Sequence, residues 1–242
     1  MVAYDGTEFH GWQSQPGQRT VQDVLETALG ILLEEPVRVR AAGRTDAGCH
    51  ARGQVVSFTT ASRLPAAAFA PAARRVLPRE VRVVTAEDVA DGFDARRSAI
   101  ARRYAYRLLD APDLLLERSA WWPGSRTNAR GLDDAVRPLE GDHDCAAFAS
   151  QGGTPVRTVC RVHRAAWRRW EAGLMLDLIA DHFLYRMVRT IVGTALAFMD
   201  LPGPASAMAA VLASRDRARA GRTVPPCGLC LEEVFYPAPR SA

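Results

Sequence analysis

The chain has 242 residues, 48% of them hydrophobic, enough for one large domain or two smaller ones with a sizeable core. No apolar run reaches the length of a membrane span, the N-terminus lacks the layout of a signal peptide, and the five cysteines are too scattered for a secreted disulfide scaffold, so a cytoplasmic protein is expected. The formal charge is only +4, yet all 31 basic residues are arginine, clustered near 96–107, 157–169 and 215–222, while acids gather elsewhere, as at 132–144; such segregation favours a basic surface for a polyanion.

Val2 to Tyr4 begins strand-like. Thr20 can cap a helix whose apolar positions Val21, Val24, Leu25, Ala28, Leu29 and Leu32 have helical spacing, with Pro36 after its end. VRVR (37–40) and QVVSF (54–58) read as strands flanking a long loop. Leu64-Pro65 opens an Ala-rich helix ending near Leu77-Pro78, and a strand follows at Val81–Thr85. Ala99–Leu109 reads as a long strand with Ile100, Arg102, Tyr104, Tyr106 and Leu108 on one face, because strand side chains alternate.

The second half has a similar outline without a residue-level repeat. Asn128 can cap a short helix bearing Leu132, Val136 and Leu139. Strands are expected at Val156–Trp167 and Leu174–Ala180, then a helix from about Phe183 to Met199, another from Pro204, and a closing strand at Leu229–Phe235. Strands and helices interleave without a strict βαβ rhythm, so α+β is the expected class. The expected division is 1–97 and 98–242, with no low-complexity linker between the halves.

The loop in AAGRTDAGCHARGQVVSF (41–58) sets Gly43, Arg44, Thr45, Asp46, Ala47 and Gly48 between strand-like runs, with His50 close behind. A plain hairpin needs only two to five turn residues. A local turn held by an Arg44–Asp46 pair is the plain structural reading of the loop. The other reading is a carboxylate presented to a substrate, with Gly43 and Gly48 permitting tight backbone turns.

The stretch resembles the Gly-Arg-Thr-Asp-Ala-Gly-Val-His signature of the tRNA pseudouridine synthase A family. Four more blocks follow in the family's order: YDGTEFHGWQSQ (4–15), ARRYAYRL (101–108), FLYRMVRTIVG (183–193) and PPCGLCLEEVFY (225–236). The resemblance implies two similar ferredoxin-like or RRM-like halves whose mainly antiparallel sheets join around a basic cleft. It implies a homodimer that modifies uridines at positions 38 to 40 of the tRNA anticodon stem-loop, with no cofactor and no metal. Asp46 matches the family's catalytic carboxylate, Tyr104 the ring that stacks on the target uracil, and Arg189 the cation that pairs with the carboxylate. Arg44, His50, Arg102 and Arg103 are the accompanying candidates for RNA contact.

The residue types suit that chemistry. A carboxylate can attack a sugar carbon or take a ribose proton, and either role needs it ionised, which a neighbouring arginine favours. The target base must leave its stack, and an aromatic ring offers it a new face. Each residue also has a structural reading: Tyr104 as a core aromatic like Tyr106, Arg189 as a surface arginine beside an apolar stripe, His50 and His182 as satisfied structural histidines. Cys227-Gly-Leu-Cys230 lacks a second ligand pair for zinc and precedes a strand instead of opening a helix. A hydrolase of the glycosidic bond would want a second carboxylate or a metal site, and no Asp-rich motif supplies one.

The sequence departs from the family at Cys49, where valine is usual, at Arg97, where phenylalanine is usual, and at Arg74, where asparagine is common. Met1 falls inside the expected first strand, so further residues are expected upstream.

Overall fold

A computed structural model describes residues 1–152 and 157–238. Among the described residues there are five α-helices: α1 (Val21–Leu33), α2 (Ala66–Ala73), α3 (Ala129–Val136), α4 (Met187–Phe198) and α5 (Pro204–Ser214). Its strands are β1 (Val2–Tyr4), β2 (Arg40–Ala41), β3 (His50–Gln54), β4 (Val56–Ser57), β5 (Val81–Val83), β6 (Ala101–Leu109), β7 (Gly141–Asp144), β8 (Val159–Trp170), β9 (Gly173–Ala180) and β10 (Leu229–Phe235). The class is α+β with mainly antiparallel pairing, as expected. Two compact units form, one from Met1–Ile100 with Cys230–Ala242 and one from Ala101–Leu229. No helix among the described residues is long and apolar enough to cross a membrane.

In the first unit the strand order is β5-β1-β3-β10, antiparallel except where β10 runs parallel to β3 with Cys230 opposite His50. The helix expected after Thr20 forms there. Thr20 is buried and accepts from the Asp23 N–H, while its hydroxyl donates to the Asp23 carboxylate at 2.6 Å, so cap and third helical residue satisfy each other. Val21, Leu25, Ala28 and Leu29 are buried as the spacing requires. Glu26 is buried with them, and its carboxylate accepts from Arg38 Nη1 at 2.7 Å and from the Val39 N–H at 3.0 Å.

That buried carboxylate explains a difference from expectation. Val37 and Val39 point inward, but the Val39 amide goes to Glu26 and not to a strand neighbour, so only Arg40–Ala41 is strand. QVVSF also divides. The ladder begins earlier, at His50, ends at Gln54, and restarts as β4, which pairs with β2 instead of β1. The Ala-rich helix is shorter than expected, ending at Ala73, with Pro71 inside it.

The second unit has the order β6-β9-β8-β7, antiparallel throughout. Helices α3, α4 and α5 pack on one another, α4 also on β6 and α3 on β8. Asn128 caps α3 by accepting from the Gly131 N–H. The expected start of β8 at Val156 lies outside the described residues. Its register shifts between Val162 and Arg164, so inward positions change from Cys160 and Val162 to Ala165 and Trp167. One extra residue is what a β-bulge inserts, and it reverses the alternation. The expected helix from Phe183 begins only at Met187, because Arg186 takes φ 60°, a left-handed conformation that no right-handed helix contains.

Thr20→Ala is expected to destabilise the fold by about 1 kcal/mol, since it removes both capping bonds of α1. Urea denaturation with an unchanged slope checks this.

Candidate active site

Asp46 lies in the first unit, on the loop between β2 and β3. The loop stands on buried hydrogen bonds. Gln54 at the end of β3 donates from Nε2 to the Gly43 carbonyl at 2.8 Å and to the Tyr4 hydroxyl at 3.4 Å. The Tyr4 and Thr45 hydroxyls are 2.7 Å apart. Burial pushes the Tyr4 phenol up, so it keeps its proton.

Backbone bonds complete the clamp: Trp12 N–H to the Thr45 carbonyl, Gly48 N–H to that of Phe9, and Cys49 N–H to that of Asp46. Gly48 takes φ 75°, the left-handed turn expected of it; Gly43 has no such φ and contributes its carbonyl instead. The result is alternation within the loop: Arg44 exposed, Thr45 buried, Asp46 half-buried.

His50 is buried at the root of the loop. Its Nδ1 accepts from the Gly6 N–H at 3.1 Å and lies 3.3 Å from Asp5 Oδ1. The ring thereby ties the segment after β1 to the start of β3.

Tyr104, Arg102, Arg103 and Arg189 belong to the second unit. Tyr104 on β6 is 8% exposed and meets the ring of Phe183 edge-on at 4.9 Å. Tyr106, on the same strand face, is fully buried, and its hydroxyl donates to the Pro225 carbonyl. Arg102 donates from Nη1 to the Asp181 carbonyl at 2.8 Å, and Arg103 from Nε to the buried Asp177 at 2.6 Å.

Arg189 stands in the first turn of α4. Its Nε donates to the Val224 carbonyl at 2.8 Å, and its own carbonyl accepts from the Val224 N–H. The strap 221–224 lies tight on the helix. Gly221 N–H donates to the Thr194 hydroxyl, and a Cβ on Gly193 would sit 1.8 Å from the Arg222 carbonyl oxygen. Small residues on α4 let that strap approach and hold Arg189 by both main chain and guanidinium.

The arginine clusters are more neutral than their sequence suggests. Arg157 pairs with Asp181, Arg161 with Asp142, Arg164 with Asp177, Arg169 with Asp110 and Arg215 with Asp144. Tyr4, Gln54, Phe183 and Val224 are the supporting residues that sequence reasoning missed. Tyr4, Gln54 and Phe183 carried a signal, by lying inside the motif blocks, and Val224 did not.

A family model described as tRNA pseudouridine synthase matches residues 1–96 and 135–237. The tRNA pseudouridine synthase A of Moorella thermoacetica is 40% identical over 240 residues, covering 97% of both chains. That of Acetivibrio thermocellus is 36% identical over 238 residues, covering 98% of both. The chain belongs to the tRNA pseudouridine synthase family. Asp46 and Arg189 lie within the two matched segments and Tyr104 between them.

Tyr4→Phe is expected to cost about 1–2 kcal/mol, because the Thr45 hydroxyl and the Gln54 amide lose a buried partner. Gly193→Ala sets a helix-propensity gain of about 1 kcal/mol against overpacking of about 1–3 kcal/mol. With a backbone oxygen 1.8 Å from the new Cβ, the clash wins. Chemical denaturation is expected to show net destabilisation.

Proposed function

We propose that this chain isomerises uridine to pseudouridine in tRNA, at positions 38 to 40 of the anticodon stem-loop, with Asp46 as the catalytic carboxylate. The observation that carries this reading is the clamp on the Asp46 loop. Buried or backbone bonds hold Gly43, Thr45 and Gly48 on both sides of Asp46, while Asp46 itself stays half-buried. A turn needing only local closure would not need a tyrosine, a glutamine and a preceding loop to fix it. A carboxylate that must meet one atom of a substrate does, because positioning to a fraction of an ångström supplies much of the rate.

In the reaction the N1–C1′ bond breaks, the base turns, and C5 bonds to C1′; N1 gains a proton and C5 gives one to solvent. The atoms of uridine are conserved, so the step is an isomerisation. Asp46 serves either by attacking C1′ or by taking a ribose proton so that the base leaves by elimination. Arg189 pairs with that carboxylate, a task for which arginine is suited because it holds its charge when desolvated. Tyr104 offers its face to the extruded uracil, and its hydroxyl receives the C5 proton.

This reading requires Asp46 from one unit and Tyr104 and Arg189 from the other to meet at one nucleotide. It takes the chain as two ferredoxin-like halves, 1–97 with the Asp loop and 98–242 with the Tyr and Arg, whose sheets join around a basic cleft. Arg44, His50, Arg102 and Arg103 are assigned to that cleft, Arg44 as the exposed contact with the RNA backbone. The enzyme is proposed to act in the cytoplasm as a homodimer on one tRNA, without a cofactor.

The test uses an unmodified tRNA transcript carrying tritium at uridine C5. Wild type is expected to release tritium into water with no free uracil. Asp46→Ala is expected to release none while still binding the transcript. Tritium release by Asp46→Ala at the wild-type rate, or appearance of free uracil, would overturn the assignment.

A further inference from the structure

Outside the residues assigned to catalysis, one group of side chains converges without a role. Cys160 on β8 and Asp181 and His182 just after β9 place ligand atoms within 4.8 Å of one another. His182 Nε2 lies 3.4 Å from Cys160 Sγ and 2.8 Å from the Arg157 carbonyl oxygen. Its Nδ1 lies 2.9 Å from Asp181 Oδ1. The Cys145 N–H donates to the Thr158 carbonyl, which brings a second buried thiol to the start of β8. Both cysteines are free and fully buried, whereas the His182 side chain is 27% exposed, leaving an approach from its side.

The arrangement poses a proton-counting problem. A neutral imidazole has one N–H and one lone pair. Here both ring nitrogens face electron-rich atoms, a carboxylate on one edge and a carbonyl with a sulfur on the other. Asp181 is fixed independently of the ring, since its carboxylate also accepts from Arg157 Nη2 and from the Arg161 and His182 N–H groups. It therefore claims the proton on Nδ1. The Nε2 lone pair then faces the Cys160 thiol, whose proton can meet it, and a thiophilic cation can stand in that proton's place. A thiophilic metal answers oxygen, nitrogen and sulfur together, and 3.4 Å between S and N fits bonds of about 2.3 and 2.0–2.1 Å to one tetrahedral ion.

We propose that Cys160 Sγ and His182 Nε2 bind one thiophilic divalent cation of the zinc class, with the Arg157 carbonyl oxygen and the Cys145 sulfur at its margin and Asp181 orienting His182 through Nδ1–H. A carboxylate that fixes the tautomer of a ligating histidine is a recurrent outer-shell device. Binding releases the Cys160 proton to solvent, since the thiolate is the ligand. The ion ties the start of β8 to the segment that follows β9. That segment carries Phe183, whose ring packs on Tyr104, so the site is a structural clamp beneath the stacking tyrosine and takes no part in bond making.

The experiment uses the full chain, reduced and stripped with a chelator, titrated with Co²⁺ and then Zn²⁺. Wild type is expected to take up cobalt stoichiometrically with a thiolate-to-metal charge-transfer band, to lose that band to zinc, and to melt at a temperature that rises with free Zn²⁺. Cys160→Ser and His182→Gln are expected to abolish the band, Asp181→Asn to weaken binding about 10–100-fold, and Cys227→Ser to leave it unchanged. Should Cys160→Ser fail to fold, His182→Gln, at a part-exposed position, decides alone. No cobalt band in wild type, or a band that survives His182→Gln, overturns the proposal. So does a His182 ring that titrates by NMR as a plain imidazolium, indifferent to Zn²⁺.

Discussion

The Tyr4–Thr45 hydrogen bond is the constraint on which the candidate site in the first unit rests. It joins the first strand to the loop residue immediately before Asp46, in a place from which water is excluded. Gln54 extends it by binding both Tyr4 and the Gly43 carbonyl, so the start of the loop and its middle answer to one small buried network. Buried polar groups are costly when unpaired and rigid when paired. The same network that positions Thr45 therefore resists any other loop conformation, and Asp46, the next residue, inherits that rigidity.

A parallel device operates in the second unit. Arg189 is gripped from a strap laid on its own helix, and the approach is possible because α4 carries glycine and threonine where the strap crosses. Val224 engages Arg189 at both main chain and side chain. A long flexible side chain held at Nε loses most of its rotamer freedom.

Acids have a larger part in this arginine-rich protein than composition implies. Asp177, buried between Arg103 and Arg164, and Glu26, which takes the amide of Val39, are structural carboxylates that reshape what surrounds them. Pairing along β8 leaves a surface of alternating sign in place of a uniform basic stripe. Steering of a polyanion by such a surface depends on the arginines left exposed, Arg44 among them, more than on the total.

The sequence by itself determined the elements governed by local rules. Thr20 and Asp23 start α1, Asn128 starts α3, apolar spacing marks the buried face of α1, and alternation places Tyr104 and Tyr106 on one face of β6. Motif order was enough to single out Asp46, Tyr104 and Arg189. Tertiary structure decided what depends on residues far apart in the chain. VRVR is mostly not strand because a glutamate thirteen residues earlier takes its amide. α4 starts at Met187 because Arg186 adopts a left-handed turn. The Asp46 loop owes its shape to Tyr4 and Gln54, and the grouping of Cys160 with His182 follows from strand pairing. Periodicity and propensity report the free energy of a segment with itself; a buried hydrogen bond between distant residues leaves no periodic trace, and only folding brings its two halves together.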